Sequence, residues 1–299
     1  MSITDRAISA YLGLAIGDAL GSTVEFMTPR EIKSEYGVHD KLTGGGWLRL
    51  KPGQVTDDTT MSLALGNSIL AEGKVDALAV ALALDAWMRG KPVDIGNTVR
   101  RNLLQFRRTG NPQAPCSEHD AGNGAAMRVL PVALATLHHP EASIRASCQA
   151  QGHVTHNSVL SDAACETLVL MVQDALCGCD KNHLLRQHAI PLAARNPEFI
   201  FLTSKPVYNP SGYIVETLQA VFQSFFDTKD FSSCLIDVVN RGGDADTTGA
   251  IAGMLAGALY GLEAIPDVWI KTLNADIRHS CEAQARALIQ LADESAKMD

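Results

Sequence analysis

Residues 6–21 read Arg-Ala-Ile-Ser-Ala-Tyr-Leu-Gly-Leu-Ala-Ile-Gly-Asp-Ala-Leu-Gly, and this stretch decides the fold class. Ile8, Tyr11, Leu12, Ala15, Ile16, Ala19 and Leu20 recur at three- and four-residue spacing, which gathers them on one face of an α-helix. Asp5 or Thr4 is placed to cap its start. Within it Gly13, Gly17 and Gly21 lie four apart, and a second ladder, Gly249, Gly253, Gly257 and Gly261, repeats the spacing late in the chain. Each glycine inside a helix costs about 1 kcal/mol relative to alanine. Such ladders make sense where neighbouring helices approach closely along the small-residue ridge. Both helices are therefore expected at the centre of the molecule.

The same period recurs along the chain. It predicts helices over 59–72, 75–89, 95–107, 125–137, 158–177, 213–226, 231–239, 247–260 and 281–292. Gly73 and Gly90 follow two of these segments, and Pro140 and Pro266 stand at helix starts. Pro131 falls inside one predicted helix. No alternating strand pattern, repeat or low-complexity linker interrupts the series. The expectation is one all-α domain spanning 1–299.

Composition sets the function classes. Hydrophobic residues are 46% and charged residues 19% of 299, a globular balance with enough apolar mass for a large core. A net charge of −8 argues against nucleic acid as partner, because phosphate neutralisation needs a clustered basic surface. Arg100, Arg101, Arg107 and Arg108 form the one basic cluster, read either as a solvated helix face or as a surface for an anionic group such as a pyrophosphate. Seven cysteines show no paired CxxC spacing, and the lone Cys177-x-Cys179 reads as ordinary thiols, so a reducing, cytoplasmic setting is expected. No segment has the roughly 18 consecutive apolar residues of a membrane span, and the charged N-terminus does not read as a signal peptide.

Two turns carry the chemistry. Thr56-Asp57-Asp58-Thr59-Thr60 precedes one apolar helix, and Gly243-Asp244-Ala245-Asp246-Thr247-Thr248 precedes the second glycine ladder. Helix capping accounts for one acid at each turn. It does not account for two acids at each of two turns beside helices that should be buried, where carboxylates repel unless a cation offsets them. Oxygen-only donors of this kind suit Mg²⁺ or Mn²⁺ and not zinc. Brought together, the turns offer four carboxylates and threonine oxygens, enough for two hard ions. Glu25, just beyond the first ladder, is misplaced on helix-dipole grounds and hints at a functional role.

Several blocks resemble the ADP-ribosylglycohydrolase family: GDALGSTVE at 17–25, QVTDDTTMSLAL at 54–65, AGNGAAMRVLP at 121–131, THNS at 155–158, SGYIVETLQA at 211–220 and NRGGDADTTGAIAG at 240–253. They extend over nearly the whole chain. The resemblance implies a compact orthogonal helical bundle with two divalent cations, Mn²⁺ or Mg²⁺, in a cleft. It implies metal ligation by Thr56, Asp57, Asp58, Asp244, Asp246 and Thr247. Glu25 matches a glutamate beside the metals. Gly122, Asn123, Gly124, Met127 and Arg128 match a loop shaping the phosphate and ribose pocket, His156 a pocket histidine, and Tyr213 an aromatic lining the cleft. Ala125 stands where some relatives have a second glycine.

The finer pattern, including KPVDIGNTVRRNL at 91–103, is similar to the bacterial branch acting on dinitrogenase reductase, the nitrogenase iron protein. That likeness places Asp94, otherwise a candidate N-cap, together with Asn97 at the substrate end. The implied activity is hydrolysis of the bond between ribose and an arginine nitrogen, with Glu25 or Asp94 moving the proton. The implied partners are the ADP-ribosylated protein, a PII-type signalling protein and an ammonium channel, with peripheral recruitment to the membrane. The rival readings are a hydrolase of serine-linked or O-acetyl-ADP-ribose conjugates or of poly-ADP-ribose, and a non-catalytic ADP-ribose-binding protein.

Overall fold

The first helix, α1 (Ile3–Gly21), begins two residues earlier than a Thr4 cap would start it and three earlier than an Asp5 cap. Ser2 is the N-cap, and Asp5 completes a reciprocal box: the Asp5 amide donates to Ser2 Oγ at 3.1 Å, and the Ser2 amide donates to the Asp5 carboxylate at 3.2 Å. From Ala7 to Gly21 every residue of α1 is buried, so the apolar face seen in the sequence extends around the whole cylinder. A computed structural model describes residues 1–117, 121–202 and 205–296.

The elements that follow are α2 (Pro29–Tyr36), α3 (Asp57–Glu72), α4 (Ala77–Arg89) and α5 (Asn97–Thr109). Next come α6 (Leu130–Ala135), α7 (Glu141–Gly152), α8 (Val159–Leu176), α9 (Lys181–Leu184), a π-helical turn (Leu185–Ala189) and α10 (Ile190–Arg195). The chain closes with α11 (Ile214–Asp227), α12 (Phe231–Val239), α13 (Ala245–Tyr260), α14 (Asp267–Thr272) and α15 (Ala275–Ser295). Among the described residues there is no strand, in keeping with an all-α bundle.

The two glycine ladders meet in one seam, except for Gly261, which lies just beyond α13 against Met1. A Cβ built on Gly13 would run into the Gly253 carbonyl, one on Gly17 into the Gly249 carbonyl, and one on Gly21 into the Ala245 carbonyl. The reverse holds for Gly253 against Gly13 and Gly257 against Ser9. Residue numbers rise on one helix as they fall on the other, so α1 and α13 are antiparallel and touch backbone to backbone. The seam brings the C-terminal end of α1 against the N-terminal end of α13, where Asp244 and Asp246 stand. Around this pair, α3, α8, α11, α12 and α15 supply the apolar packing.

Two local expectations are corrected. The segment 125–137 is helical only over Leu130–Ala135, because residues 122–129 are held in turns: the Ala126 and Met127 amides donate to the Asn123 carbonyl at 2.9 and 3.0 Å. Asp94 caps no helix: α5 starts at Asn97 after Gly96, and Asp94 Oδ1 instead accepts from the Ile95 amide at 2.7 Å.

Candidate metal centre and cleft

Asp18, in the last turn of α1, is fully buried. Its Oδ1 accepts the Thr56 amide and hydroxyl, both at 2.9 Å, and its Oδ2 accepts the Thr59 amide at 3.1 Å and hydroxyl at 2.5 Å. Asp18 thereby satisfies the opening amides of α3 from outside that helix. Thr56, the N-cap residue itself, makes no side-chain cap. Asp57 and Asp58 are thus relieved of the capping duty that would have been their ordinary role. The sequence reading passed over Asp18; the available signal was a lone acid inside an otherwise apolar glycine ladder.

The two acidic turns meet. Thr56 Oγ1 lies 3.3 Å from Asp58 Oδ2 and 3.4 Å from Asp246 Oδ2, and Thr247 Oγ1 lies 3.4 Å from Asp58 Oδ2. Glu25, Asp244 and Asp246 each place a carboxylate oxygen within 4.8 Å of the others. Asp244 Oδ2 accepts from Asn123 Nδ2 at 2.6 Å, and the same amide nitrogen lies 3.0 Å from Thr217 Oγ1. Glu25 Oε2 accepts from Trp47 Nε1–H at 2.6 Å. Trp47 was not singled out from sequence, since an aromatic in a non-periodic loop carries no positional signal.

These carboxyls are costly in isolation. Burial, with the charges of Asp94, Asp18 and Asp244, pushes Asp57 up to about 7. Burial pushes Glu25 up to about 8, assisted by Asp244, Asp94 and Asp57 and opposed by the Trp47 bond. Asp58 and Asp246 are raised well above the carboxylate range by burial, with the charges of Asp18, Asp57 and Asp244 acting on Asp58 and those of Glu25, Asp58 and Asp244 on Asp246. Asp18 rises only to about 6, because its four threonine hydrogen bonds offset the burial. Among the described residues no donor reaches Asp58 Oδ1, although the atom is buried. An unpartnered carboxyl oxygen among crowded acids and threonine hydroxyls is the environment a hard divalent cation satisfies. The donor set fits Mg²⁺ or Mn²⁺.

Above the acids opens a cleft of about 460 Å³. Its wall takes in Glu25, Asp57, Asp94, Asn97, Gly122, Asn123, Gly124, Met127, His156, Asp244, Asp246 and Thr247, with Phe26 and Trp47 at the mouth. Thr56 and Asp58 lie buried beneath this surface. Gly122 and Gly124 are required by His156: a Cβ on Gly124 would press on the imidazole Cε1 at 2.6 Å, and one on Gly122 would meet Nε2 at 3.0 Å. Burial, with Arg128 and Arg101, pushes the His156 imidazole down to about 3, so it is neutral.

Two expected pocket residues are not brought to the cleft wall. Arg128 is completely buried beneath it, donating to Gln151 Oε1, the Gln151 carbonyl and Thr155 Oγ1, each at 2.9 Å. Thr155 Oγ1 in turn bonds His156 Nδ1 at 2.8 Å, so Arg128 anchors the turn that carries His156. Tyr213 lies outside the wall and contributes backbone. The peptide groups on either side of it tie the Gly122 loop down: the Gly212 carbonyl accepts from the Asn123 amide and the Ile214 amide donates to the Ala121 carbonyl, each at 3.0 Å.

The profile of the ADP-ribosylglycohydrolase family matches residues 1–297, and the chain belongs to that family. The chain is similar to the ADP-ribosyl-dinitrogen reductase glycohydrolase of Rhodospirillum rubrum, 52% identical over 97% of this chain and 98% of that protein. It is also similar to the ADP-ribosylarginine hydrolase Tri1 of Pseudomonas putida, 37% identical over 89% of this chain and 74% of that protein. A solved structure described as an ADP-ribosylglycohydrolase-related protein complex superposes with a TM-score of 0.85 at 36% identity, covering 97% of this chain and 99% of its own. No helix among the described residues is long and apolar enough to cross a membrane.

Proposed function

We propose that this protein hydrolyses the N-glycosidic bond between ADP-ribose and an arginine of a modified protein, and that its target is dinitrogenase reductase. The observation that carries the reading is the meeting of Asp57 and Asp58 with Asp244 and Asp246 under a cleft whose rim holds two further acids, Glu25 and Asp94.

Thr56, Asp57, Asp58, Asp244, Asp246 and Thr247 would hold two divalent cations, Mn²⁺ or Mg²⁺. When bound, such ions grip vicinal ribose hydroxyls and acidify a water. The chain's own groups then have separate tasks. The C1–N bond breaks as a C1–O bond forms, and the proton released by water must reach the departing guanidine nitrogen. Glu25 or Asp94 carries that proton. Trp47 holds Glu25 through Oε2, which leaves transfer to Oε1. Asn97 and the Gly122-Asn123-Gly124 turn line the sugar and pyrophosphate end, and neutral His156 supports that turn from behind without adding charge.

Arginine, rather than a serine or an acetyl ester, is favoured by the cleft mouth. Phe26 and Trp47 are 65% and 53% exposed there, with ring centroids 5.5 Å apart, beside the acid of Glu25. Aromatic faces next to a carboxylate suit a guanidinium. The PII-type protein, the ammonium channel and membrane recruitment rest on the resemblance to the dinitrogenase-reductase branch and belong to the same proposal.

The test is release of ADP-ribose from arginine-modified dinitrogenase reductase, with Mn²⁺, with a chelator, and with Mn²⁺ restored. Activity lost on chelation and regained with Mn²⁺ is expected. Activity indifferent to chelation overturns the mechanism, and preference for serine-linked or O-acetyl substrates overturns the specificity. Tight ADP-ribose binding without turnover would indicate a binding protein.

A further inference from the structure

A second group of convergent ligands lies away from the cleft and shares no residue with it. Asp174, near the end of α8, receives two imidazoles on one oxygen: His183 Nε2 at 2.8 Å and His188 Nε2 at 2.7 Å from Oδ2. The three groups line an open groove of about 950 Å³, and their side chains are 35%, 41% and 13% exposed.

The backbone is specially shaped to make this happen. In a regular α-helix, residues five apart point about 140° away from each other, so His183 and His188 would diverge. Between them the chain adopts a π-helical turn, Leu185–Ala189, closed by the Ile190 amide donating to the Leu185 carbonyl. The wider turn returns position 188 to the face of position 183. π-Turns are uncommon and cluster at functional sites. Here the turn's effect is to aim two imidazole Nε2 atoms at one carboxylate.

We propose that Asp174, His183 and His188 form a second metal site, selective for a zinc-type transition ion. Two imidazoles and a carboxylate with an open fourth position are a zinc donor set, whereas the oxygen-only cleft suits Mn²⁺ or Mg²⁺. The ligand atoms already lie within 4.8 Å of one another. Tetrahedral zinc with bonds near 2.0–2.1 Å holds its ligands roughly 3.3 Å apart, so N and O must part by about half an ångström, and partly exposed side chains can supply that. The ion would tie α8 to the α9–π–α10 segment at three points, with water completing its coordination.

The test uses the full-length protein with its cleft saturated by Mn²⁺. Calorimetric titration with ZnCl₂ is expected to show one further equivalent bound, without release of Mn²⁺ as read by electron paramagnetic resonance. CoCl₂ in place of zinc should give the intense visible bands of a low-coordinate nitrogen-containing site. Asp174→Asn, His183→Gln and His188→Gln retain hydrogen-bonding groups of similar size; each should weaken zinc binding about tenfold or more and abolish any zinc-induced rise in Tm. ADP-ribose release by all three should match the parent protein. Zinc taken up only in exchange for Mn²⁺, no uptake at all, or variants that bind as tightly as the parent would overturn the proposal.

Discussion

Asp18 closes on Thr59, pairing a carboxylate in α1 with the first turn of α3 through both the threonine amide and its hydroxyl. The contact joins residues 41 apart in sequence and sets where the Asp57-Asp58 pair stands relative to Glu25. Asp18→Asn keeps the size of the side chain but turns an amide NH₂ toward a backbone N–H that can only donate, and removes the charge. Charged, buried hydrogen bonds of this kind are worth about 1.5–3 kcal/mol each. Asp18→Asn should lower stability by about 2–3 kcal/mol in urea unfolding and weaken Mn²⁺ binding in the same sample. Unaltered Mn²⁺ affinity would show that Asp18 does not position the acidic turn.

Under the proposed function, metal and proton compete for the same carboxyls. In the metal-free protein Asp57 and Glu25 sit at about 7 and about 8, above the ordinary value near 4. The folded state therefore holds protons that the unfolded state has released, so this contribution to stability is complete below about pH 4 and is lost as pH rises through about 7–8. The Tm of chelated protein should fall between about pH 5 and pH 8. Mn²⁺ must displace those protons, so its affinity, and the Tm gain it produces, should grow over the same interval. A gain independent of pH in thermal-shift measurements would contradict this.

Trp47 acts through Glu25. Its indole N–H holds the carboxylate down, so Trp47→Phe should raise the Glu25 value further and move the acid limb of the kcat profile to higher pH. A kcat loss of about tenfold with little change in KM is expected, against about 10²–10⁴-fold for Glu25→Gln with Mn²⁺ still bound. An unmoved pH profile would reduce Trp47 to a wall of the cleft mouth.

Gly124 has no room to grow. A methyl there meets the His156 ring, which Thr155 and Arg128 hold in place. Gly124→Ala should cost about 1–3 kcal/mol by overpacking and raise KM for the ADP-ribosylated substrate. His156→Ala in the same chain should restore part of the stability, and a double-mutant cycle reads the coupling.

The sequence revealed the seam and the acids for different reasons. Small residues at fixed spacing in two apolar helices have one good physical use, close approach, and Gly13 against Gly253 is that use. Paired acids at two turns could not both be caps, and Asp58 now stands beside Thr247. What escaped was whatever depends on a partner distant in the chain. Asp18 is an ordinary polar interruption until α3 is laid across it. Arg128 follows a glycine-rich turn as a pocket residue would, yet its guanidinium points into the core toward Gln151. The helix at Pro29–Tyr36 escapes because Ile32 alone is buried in it, so its apolar period is faint, and of the helix at Glu141–Gly152 only the start at Pro140 is legible.

The antiparallel seam also decides when the cation trap comes into being. Thr56 and Asp246 lie 190 positions apart, and only the docking of α13 on α1 makes them neighbours. Until that docking takes place, the acids at residues 57 and 58 lack the neighbours supplied by the turn at 244–247. A centre of the proposed kind at these turns would therefore form only in a chain whose α13 has already docked on α1.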